Sequence, residues 1–329
     1  MKRVLITVAL SVLSLAAPGH SACAQDLSHK EVKVGILFAE SNSTLGASVA
    51  AIRNRLRELN WVEGRNLIIE TRFAEGHLER LPALIDDLLV RKVDIINTGG
   101  NPTVLAAKSA TSTIPIVVCA MSDPVGLGLV PSLSHPGGNL TGLSLGFTGG
   151  FAGKWLELLH EMVPHLSTLA VIFNSENTAN SRYHADLQAA AAARGVKLRP
   201  IGVKEAPRLQ HAFQEASRSA QAVLVLPDPF VMYNRKRIVA LAQQQRLPAM
   251  YGLLEFTEEG GLIAYGVDLV PTSRRAAEIA DKILRGANPG DIPIEQPTQL
   301  SLAVNLKTAK ALGITIPQSI LLRADKVIE

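Results

Sequence analysis

The chain has 329 residues, of which 47% are hydrophobic and 19% charged, and its formal net charge is +4 at pH 7. These values are typical of a globular chain and exclude a disordered or coiled-coil protein, and the length predicts two domains. Because lysines and arginines are dispersed and no basic cluster is interleaved with aromatic residues, no nucleic-acid partner is expected.

The N-terminus has the pattern of a secretory signal peptide, which we assign to residues 1–24. Lys2 and Arg3 precede the apolar run Val4–Ala17, and Ala22-Cys23-Ala24 supplies the small residues that a signal peptidase needs. The apolar run is too short to span a bilayer. We therefore expect cleavage near Ala24 and a periplasmic mature protein, with a lipoprotein anchor at Cys23 as the less favoured alternative.

One cysteine, Cys119, remains after that cleavage, and it falls inside an apolar strand. A secreted chain with one buried thiol has no disulfide framework and must rely on its hydrophobic core. The sequence favours a core residue at Cys119 over a nucleophile.

In the first half of the chain, apolar runs suited to buried strands alternate with helical patterns. The predicted strands are Val32–Phe38, Asn66–Phe73, Val93–Asn97 and Ile114–Ala120, and the predicted helices are Leu45–Leu59, Leu78–Arg91 and Pro102–Ser109. Runs rich in Val and Ile without clean alternation are typical of a parallel sheet that is covered on both faces.

The pattern pauses at Pro131–Gly146, where Pro, Gly, Ser and Asn are frequent, and then resumes. Further strands are predicted at Leu169–Asn174, Lys197–Val203, Ala222–Leu226, Leu247–Tyr251, Gly261–Tyr265 and Leu300–Val304, and further helices at Phe151–Met162, Ala179–Arg194, Pro207–Ser217, Val231–Gln244, Val270–Arg285 and Leu306–Leu312. This second block repeats the architecture of the first.

The predicted fold class is α/β, with two doubly wound parallel-sheet lobes joined by three crossover segments. We assign residues 31–143 plus 253–297 to the N-terminal lobe and residues 144–252 plus 298–329 to the C-terminal lobe. The crossovers are expected near Asn139–Gly146, Tyr251–Leu254 and Thr298–Ser301.

Catalytic and cofactor signatures are absent from the sequence. There is no GxSxG elbow, HExxH, CxxC, Walker loop or GxGxxG after a strand, and the histidines are scattered. The chain is therefore predicted not to be an enzyme, with no catalytic residue, no metal site and no cofactor.

Polar residues do cluster at the carboxyl ends of the predicted strands, the rim where open α/β sheets bind ligands. They are Glu40 to Ser43, Thr98 to Asn101, Ser122, Asp123, Asn174, Ser175, Asp228 and Tyr251. Free N–H groups at helix starts suit an anion, and an ionised Asp suits an ammonium or a hydroxyl donor. Ordinary N-capping, and for Asp123 a turn before Pro124, are the alternatives.

Several linked motifs give the chain a family resemblance. They are Asp123-Pro124-Val125 with Gly126 and Gly128-Leu129-Val130, then Pro136 to Gly142, Gly260 to Gly266, Gln296-Pro297-Thr298, and Asn305 to Gly313. In these motifs the chain, from Val32 to Glu329, resembles the tryptophan/tyrosine-type substrate-binding proteins of bacterial ABC importers.

The resemblance implies a type I periplasmic-binding-protein-like fold that closes by a hinge over a small-molecule ligand, an ABC permease of the inner membrane as partner, and a monomer. With the rim, it predicts the following ligand-binding residues: Phe38, Ser41, Asn42, Ser43, Thr44, Thr98, Gly99, Gly100, Asn101, Ser122, Asp123, Asn174, Asp228 and Tyr251. Tryptophan itself is not supported as the ligand, because aromatic residues make up only 4% of the chain.

We therefore expect the solute receptor of an ABC importer, whose ligand is an amino acid or an aromatic or carboxylate metabolite. Asp123 is assigned to a donor group of the ligand, the N–H groups of Thr98–Asn101 and Ser41–Ser43 to an anionic group, and Tyr251 with Phe38 to an apolar wall. A sensing protein that presents its closed form to a membrane receptor is the first alternative, and a secreted enzyme is the second.

Overall fold

The structure is a computed structural model, and it describes residues 31–145, 151–177, 180–296 and 300–329. The predicted signal peptide, residues 1–24, lies outside these residues, as do parts of the first and third predicted crossovers. Within the described ranges, no helix combines the length and the apolar character that a membrane span requires.

The described residues form twelve β-strands. In chain order, β1 to β12 are Val32–Phe38, Leu67–Phe73, Ile95–Thr98, Ile116–Met121, Leu140–Ser144, Thr168–Asn174, Lys197–Val203, Ala222–Val225, Ala249–Leu253, Ile263–Val267, Ser301–Asn305 and Lys326–Ile328.

The same residues form twelve α-helices. In chain order, α1 to α12 are Asn42–Glu58, Leu81–Val90, Asn101–Ala110, Phe151–Met162, Asn180–Ala192, Leu209–Ser219, Pro229–Tyr233, Arg235–Gln244, Glu255–Glu258, Leu269–Leu284, Leu306–Leu312 and Gln318–Arg323.

The strands form two sheets, one in each lobe. The first has the order β2-β1-β3-β4-β5 with every pair parallel, and β1 pairs with β2 and β3 on its two sides, as Val34 does with Ile69 and Ile95. The second has the order β12-β11-β10-β9-β8-β6-β7 and is parallel except for the antiparallel pair β10–β11. Two doubly wound lobes are thus confirmed. Each strand that pairs with a strand on both sides is largely buried, as is typical of Val- and Ile-rich runs in parallel sheets.

The second predicted crossover, at Tyr251–Leu254, is wrong. After β9 the chain makes the single turn α9 and returns as β10, which pairs parallel with β9, as Ala264 does with Tyr251. It leaves the second sheet only at Asp268, where α10 begins and packs on α1, β3 and β4 of the first lobe. The strand Ile263–Val267 therefore lies in the second lobe, although the sequence assigned residues 253–297 to the first.

The segment after α10 stays with the first lobe. The Glu295 N–H donates to the Gly142 carbonyl at 2.9 Å, and the Thr141 hydroxyl donates to the Ile292 carbonyl at 2.7 Å. The chain then resumes at β11 in the second sheet. The remaining lobe boundaries stay a prediction.

Candidate functional site

A cleft lies between the carboxyl ends of the two sheets, the place where ligands bind to open α/β sheets. Its walls come from both lobes. The lining residues are Phe38, Glu40, Leu45, Ser48, Gly99, Gly100, Asn101, Cys119, Ala120, Met121, Ser122, Leu145, Asn177, Pro227, Asp228, Pro229, Met232, Leu253, Leu269 and Ser273.

Six of the predicted ligand-binding residues line this cleft. They are Phe38, Gly99, Gly100, Asn101, Ser122 and Asp228. They lie where β1, β3, β4 and β8 end, so the cleft opens at the rim of the sheets, and their role in ligand binding stays a prediction.

Other residues predicted to bind the ligand instead make hydrogen bonds within the protein. Ser41 caps α1 by accepting the Thr44 N–H at 3.2 Å, and it also hydrogen-bonds to the hydroxyls of Ser43 and Thr44. Asn42, which follows the cap, is exposed. The Thr98 hydroxyl donates to the Leu37 carbonyl at 2.7 Å. The contacts of Ser41 match ordinary N-capping, the alternative that the sequence left open, whereas the Thr98 hydroxyl bonds to the neighbouring strand β1, a role that the sequence analysis did not consider.

Tyr251 and Asn174 also lie behind the cleft wall. Tyr251 is 1% exposed and stacks on Phe256 with 4.6 Å between ring centroids, so its ring faces the core of the second lobe. Asn174 is buried and supports Asp228 through its amide. Among the described residues that line the cleft, Phe38 is thus the aromatic one, and Tyr251 does not form an apolar wall with it.

Asp123 occupies a turn next to the cleft. Its backbone is left-handed, with φ at 43°, and its carboxylate accepts the Gly126 N–H at 3.0 Å. A side chain that closes its own turn in this way is typical of Asp before Pro. Asp123 is not among the lining residues, so the geometry supports the turn that the sequence offered as its alternative role.

Asp228 is a carboxylate held in place from three directions. It caps the short helix α7 by accepting the Phe230 N–H at 2.7 Å, and it accepts the side-chain amides of Asn174 at 3.1 Å and Asn177 at 2.7 Å. Burial raises the pKa of Asp228, while these donors act in the opposite direction. The carboxylate is therefore fixed in orientation before any ligand enters.

Glu40 is the second acid of the cleft, and it is held differently. It is 6% exposed, and its Oε2 atom is buried without a hydrogen-bond partner among the described residues. Burial, with smaller contributions from the negative charges of Asp228 and Glu255, raises the pKa of Glu40 to about 8. A cationic group beside Oε2 would restore the ionised form and satisfy the orphaned oxygen.

The beginning of α3 provides donors on the first-lobe side. Gly100 precedes the helix with φ at 78°, and its N–H donates to the Ala120 carbonyl at 2.7 Å. Asn101 accepts the Ser122 N–H through Oδ1 at 2.8 Å, while its Nδ2 is buried without a partner within the described ranges. The unpartnered Nδ2 of Asn101, at the N-terminus of α3, suits an anionic or carbonyl group of a ligand.

Apolar side chains complete the walls: Leu45, Met121 and Leu145 with Phe38 from the first lobe, Met232 and Leu253 from the second, and Leu269 at the start of α10. Cys119 joins them, and burial raises the pKa of its thiol to about 12, which agrees with an inert lining residue. Sequence reasoning missed most of this set because an apolar residue that lines a cleft has the same local pattern as one that fills a core. Ser273 was missed because it lies on a helix and not on the rim.

The fold and the cleft define a two-lobed binding protein that encloses a small ligand. A family model described as ABC transporter substrate binding protein matches residues 33–328, and the chain belongs to that family of extracytoplasmic binding proteins, which deliver substrates to a permease.

Three similar proteins match most of this chain. A tyrosine-binding protein of Clostridioides difficile is 26% identical over 87% of this chain and 82% of its own length. A crystal structure of a conserved domain protein from Vibrio cholerae is 28% identical with a TM-score of 0.85, covering 91% of this chain and 100% of the other. An ABC domain in complex with L-Trp from Streptococcus pneumoniae, 24% identical, shares the fold with a TM-score of 0.84 over 91% of this chain and 100% of its own.

Proposed function

We propose that the cleft binds an amino acid with an apolar or aromatic side chain, and that the protein delivers it to its permease. The observation that carries this proposal is the pair of buried acids, Glu40 and Asp228, in a cleft whose described lining residues include no Lys or Arg. Such a site stabilises a cationic group and disfavours a ligand that carries only negative charge.

The remaining groups of the ligand have matching partners. The Asn101 amide and the first turn of α3 would bind the carboxylate, and Phe38 with Met232 and Leu253 would contact the side chain. The proposal thus assigns the contact with the ligand's donor group to Glu40 and Asp228 instead of Asp123. The names of the relatives, a tyrosine-binding protein and an L-Trp complex, support the same ligand class.

A matched set of three compounds tests the ligand class: L-phenylalanine, 3-phenylpropanoate without the amine, and phenethylamine without the carboxylate. The protein is first freed of bound ligand by unfolding and refolding, and calorimetry and thermal unfolding are then recorded, with L-tyrosine and L-tryptophan added to the panel. A ligand at 100 times its Kd adds about 2.7 kcal/mol to the free energy of unfolding. We expect the amino acids to bind most tightly, phenethylamine weakly and 3-phenylpropanoate least.

If 3-phenylpropanoate bound as tightly as L-phenylalanine, the acids would not be recognising an amine and the proposal would be wrong. Glu40→Gln serves as the second arm, because it keeps the shape of the side chain and cannot ionise when a cationic group binds beside it. It should reduce the affinity for the amino acids while leaving the weak affinity for 3-phenylpropanoate unchanged.

Cleavage near Ala24, a periplasmic location and a monomeric state remain part of the same proposal. They are supported by the signal-peptide pattern of residues 1–24 and by the family. The intact mass of protein recovered from the periplasm tests the cleavage site, and light scattering tests the monomer. A mature mass that includes a lipid on Cys23 would instead establish the anchored alternative.

A further inference from the structure

Along one side of the cleft, the two lobes meet where glycines of the first lobe face helix α7 of the second. A Cβ atom on Gly76 would lie 2.6 Å from Cδ1 of Tyr233, and one on Gly100 would lie 2.6 Å from Cγ of Pro229. Side-chain atoms do not approach this closely, so α7 reaches the first lobe here only because both positions lack a side chain.

The loop that carries Gly76 is fixed to the end of β1. The Gly76 N–H donates to the Ala39 carbonyl at 2.8 Å, and the Glu75 N–H donates to the Glu40 carbonyl at 3.2 Å. Phe38 and Glu40 of the same segment line the cleft. The position of Gly76 is therefore coupled to the ligand-facing residues of the first lobe.

Helix α7 is anchored equally firmly in the second lobe. Val231 and Met232 are buried in its core, and the Met232 N–H donates to the Asp228 carbonyl at 2.8 Å. One end of this short helix places Asp228 in the cleft, and the other end places Tyr233, 38% exposed, against Gly76. Neither Gly76 nor Tyr233 is a lining residue of the cleft.

We propose that Gly76 and Tyr233 form a closure latch, in which the Tyr233 ring packs over Gly76 when the lobes close and stabilises the closed form without touching the ligand. The latch concerns how the lobes close, and it holds whichever amino acid the cleft binds. Because the apparent affinity of a closing receptor is proportional to the population of its closed form, the latch contributes to affinity from outside the site.

Gly64 offers a matched control for a test of the latch by substitution. Gly64 and Gly76 both lie in the first lobe with φ near 80° (79° and 80°), but a Cβ on Gly64 would meet nothing within 4 Å. Gly64→Ala therefore measures the cost of a left-handed alanine alone, while Gly76→Ala adds the obstruction by Tyr233. The two variants should unfold at similar urea concentrations without ligand.

Affinity should separate the two variants. For L-tyrosine and L-tryptophan, we expect Gly76→Ala to raise Kd by about ten-fold or more and Gly64→Ala by less than about two-fold, since only the former lowers the closed population. Adding Tyr233→Ala to Gly76→Ala should return Kd to the value of Tyr233→Ala alone. Equal Kd values for the two glycine variants, or no rescue by Tyr233→Ala, would overturn the latch.

A ligand-free experiment keeps the latch testable if neither amino acid binds the wild-type protein, a result that would count against the proposed function alone. The full-length mature chain with Gly76→Cys and Tyr233→Cys is oxidised with copper phenanthroline, and the intramolecular disulfide is followed by mass. Gly64→Cys with Tyr233→Cys is the control, and Cys119 is buried. We expect cross-linking in the first pair and none in the second; equal rates in both pairs would overturn the latch.

Discussion

Glu40 and Asp228 face the same cleft from opposite lobes, and they differ in how their carboxyl groups are satisfied. Asp228 accepts three hydrogen bonds from its own lobe, whereas Glu40 has a buried oxygen without a described partner and a pKa raised to about 8. The second-lobe acid is thus oriented by the protein alone, while the first-lobe acid obtains a partner for its buried oxygen only from what enters the cleft. The comparison separates a group that organises the site from a group that depends on its ligand.

Removing one of the two carboxyl groups tests this comparison, and the largest effect that we expect is the loss of stability in Asp228→Ala. The substitution removes the cap of α7 and the buried carboxylate that accepts from the amides of Asn174 and Asn177, so the free energy of unfolding should fall by about 2–4 kcal/mol. Urea denaturation measures the change.

Asp268→Ala is the matched control, because the half-buried Asp268 caps α10 by accepting the Val270 N–H at 2.9 Å. It should lose the capping contribution, about 1 kcal/mol, offset in part because the repulsion between Asp268 and Glu255 is removed. If both variants lost the same amount, the amide contacts of Asp228 would contribute nothing and the comparison with Glu40 would fail.

The pH dependence of stability sharpens the comparison at Glu40. Its pKa is raised from 4.5 to about 8 in the folded protein, so the folded state binds the proton more tightly than the unfolded state does. The free energy of unfolding should therefore fall as the pH rises from about 4.5 to about 8. Glu255, whose pKa burial raises to about 7, contributes to the same fall.

Glu40→Gln should flatten this pH profile between the ordinary pKa of Glu40, 4.5, and its raised pKa of about 8. Glu255→Gln should flatten the lower part of the profile, up to about pH 7. Urea titrations of the three proteins across the window measure both changes. An unchanged slope in Glu40→Gln would show that burial does not raise the pKa of Glu40, and the contrast with Asp228 would fail.

The smallest expected effect belongs to Asp123→Asn. Asn keeps the turn acceptor for the Gly126 N–H and tolerates a left-handed backbone, so both stability and affinity should stay near the wild-type values. Calorimetry with L-tyrosine and L-tryptophan checks this expectation. A large loss of affinity would instead restore the ligand contact that the sequence assigned to the Asp123 charge.

Strands and helices with strong local patterns were predictable, and the choice of sheet was not. The run that contains Ile263–Val267 reads as a strand from its residues alone, but its partner, β9, is set by the short turn α9 and by packing far along the chain. β5 was missed, since Leu140–Ser144 lies in a Gly-rich segment and is held as a strand by pairing with β4. β12 and its parallel partner β11 meet only through tertiary structure.

In the site, the sequence located the rim but not the direction of each side chain. Neighbouring residues of a strand point to opposite faces, which is why Phe38 lines the cleft while Leu37 does not. Tyr251 and Thr98 had the right position along the chain and the wrong orientation. Residues from α10, such as Ser273, were not predicted because they lie on a helix and not at the end of a strand.

The late crossover at Asp268 has a consequence for how the chain is made. Helix α10 covers one face of β3 and β4, but Leu284 leaves the ribosome long after Ser144 completes the first sheet. At ordinary rates of synthesis, this interval is on the order of 10 s. During this interval the first lobe lacks part of its hydrophobic core. The nascent chain therefore remains accessible to proteins that bind unfolded chains until nearly its whole length has been translated.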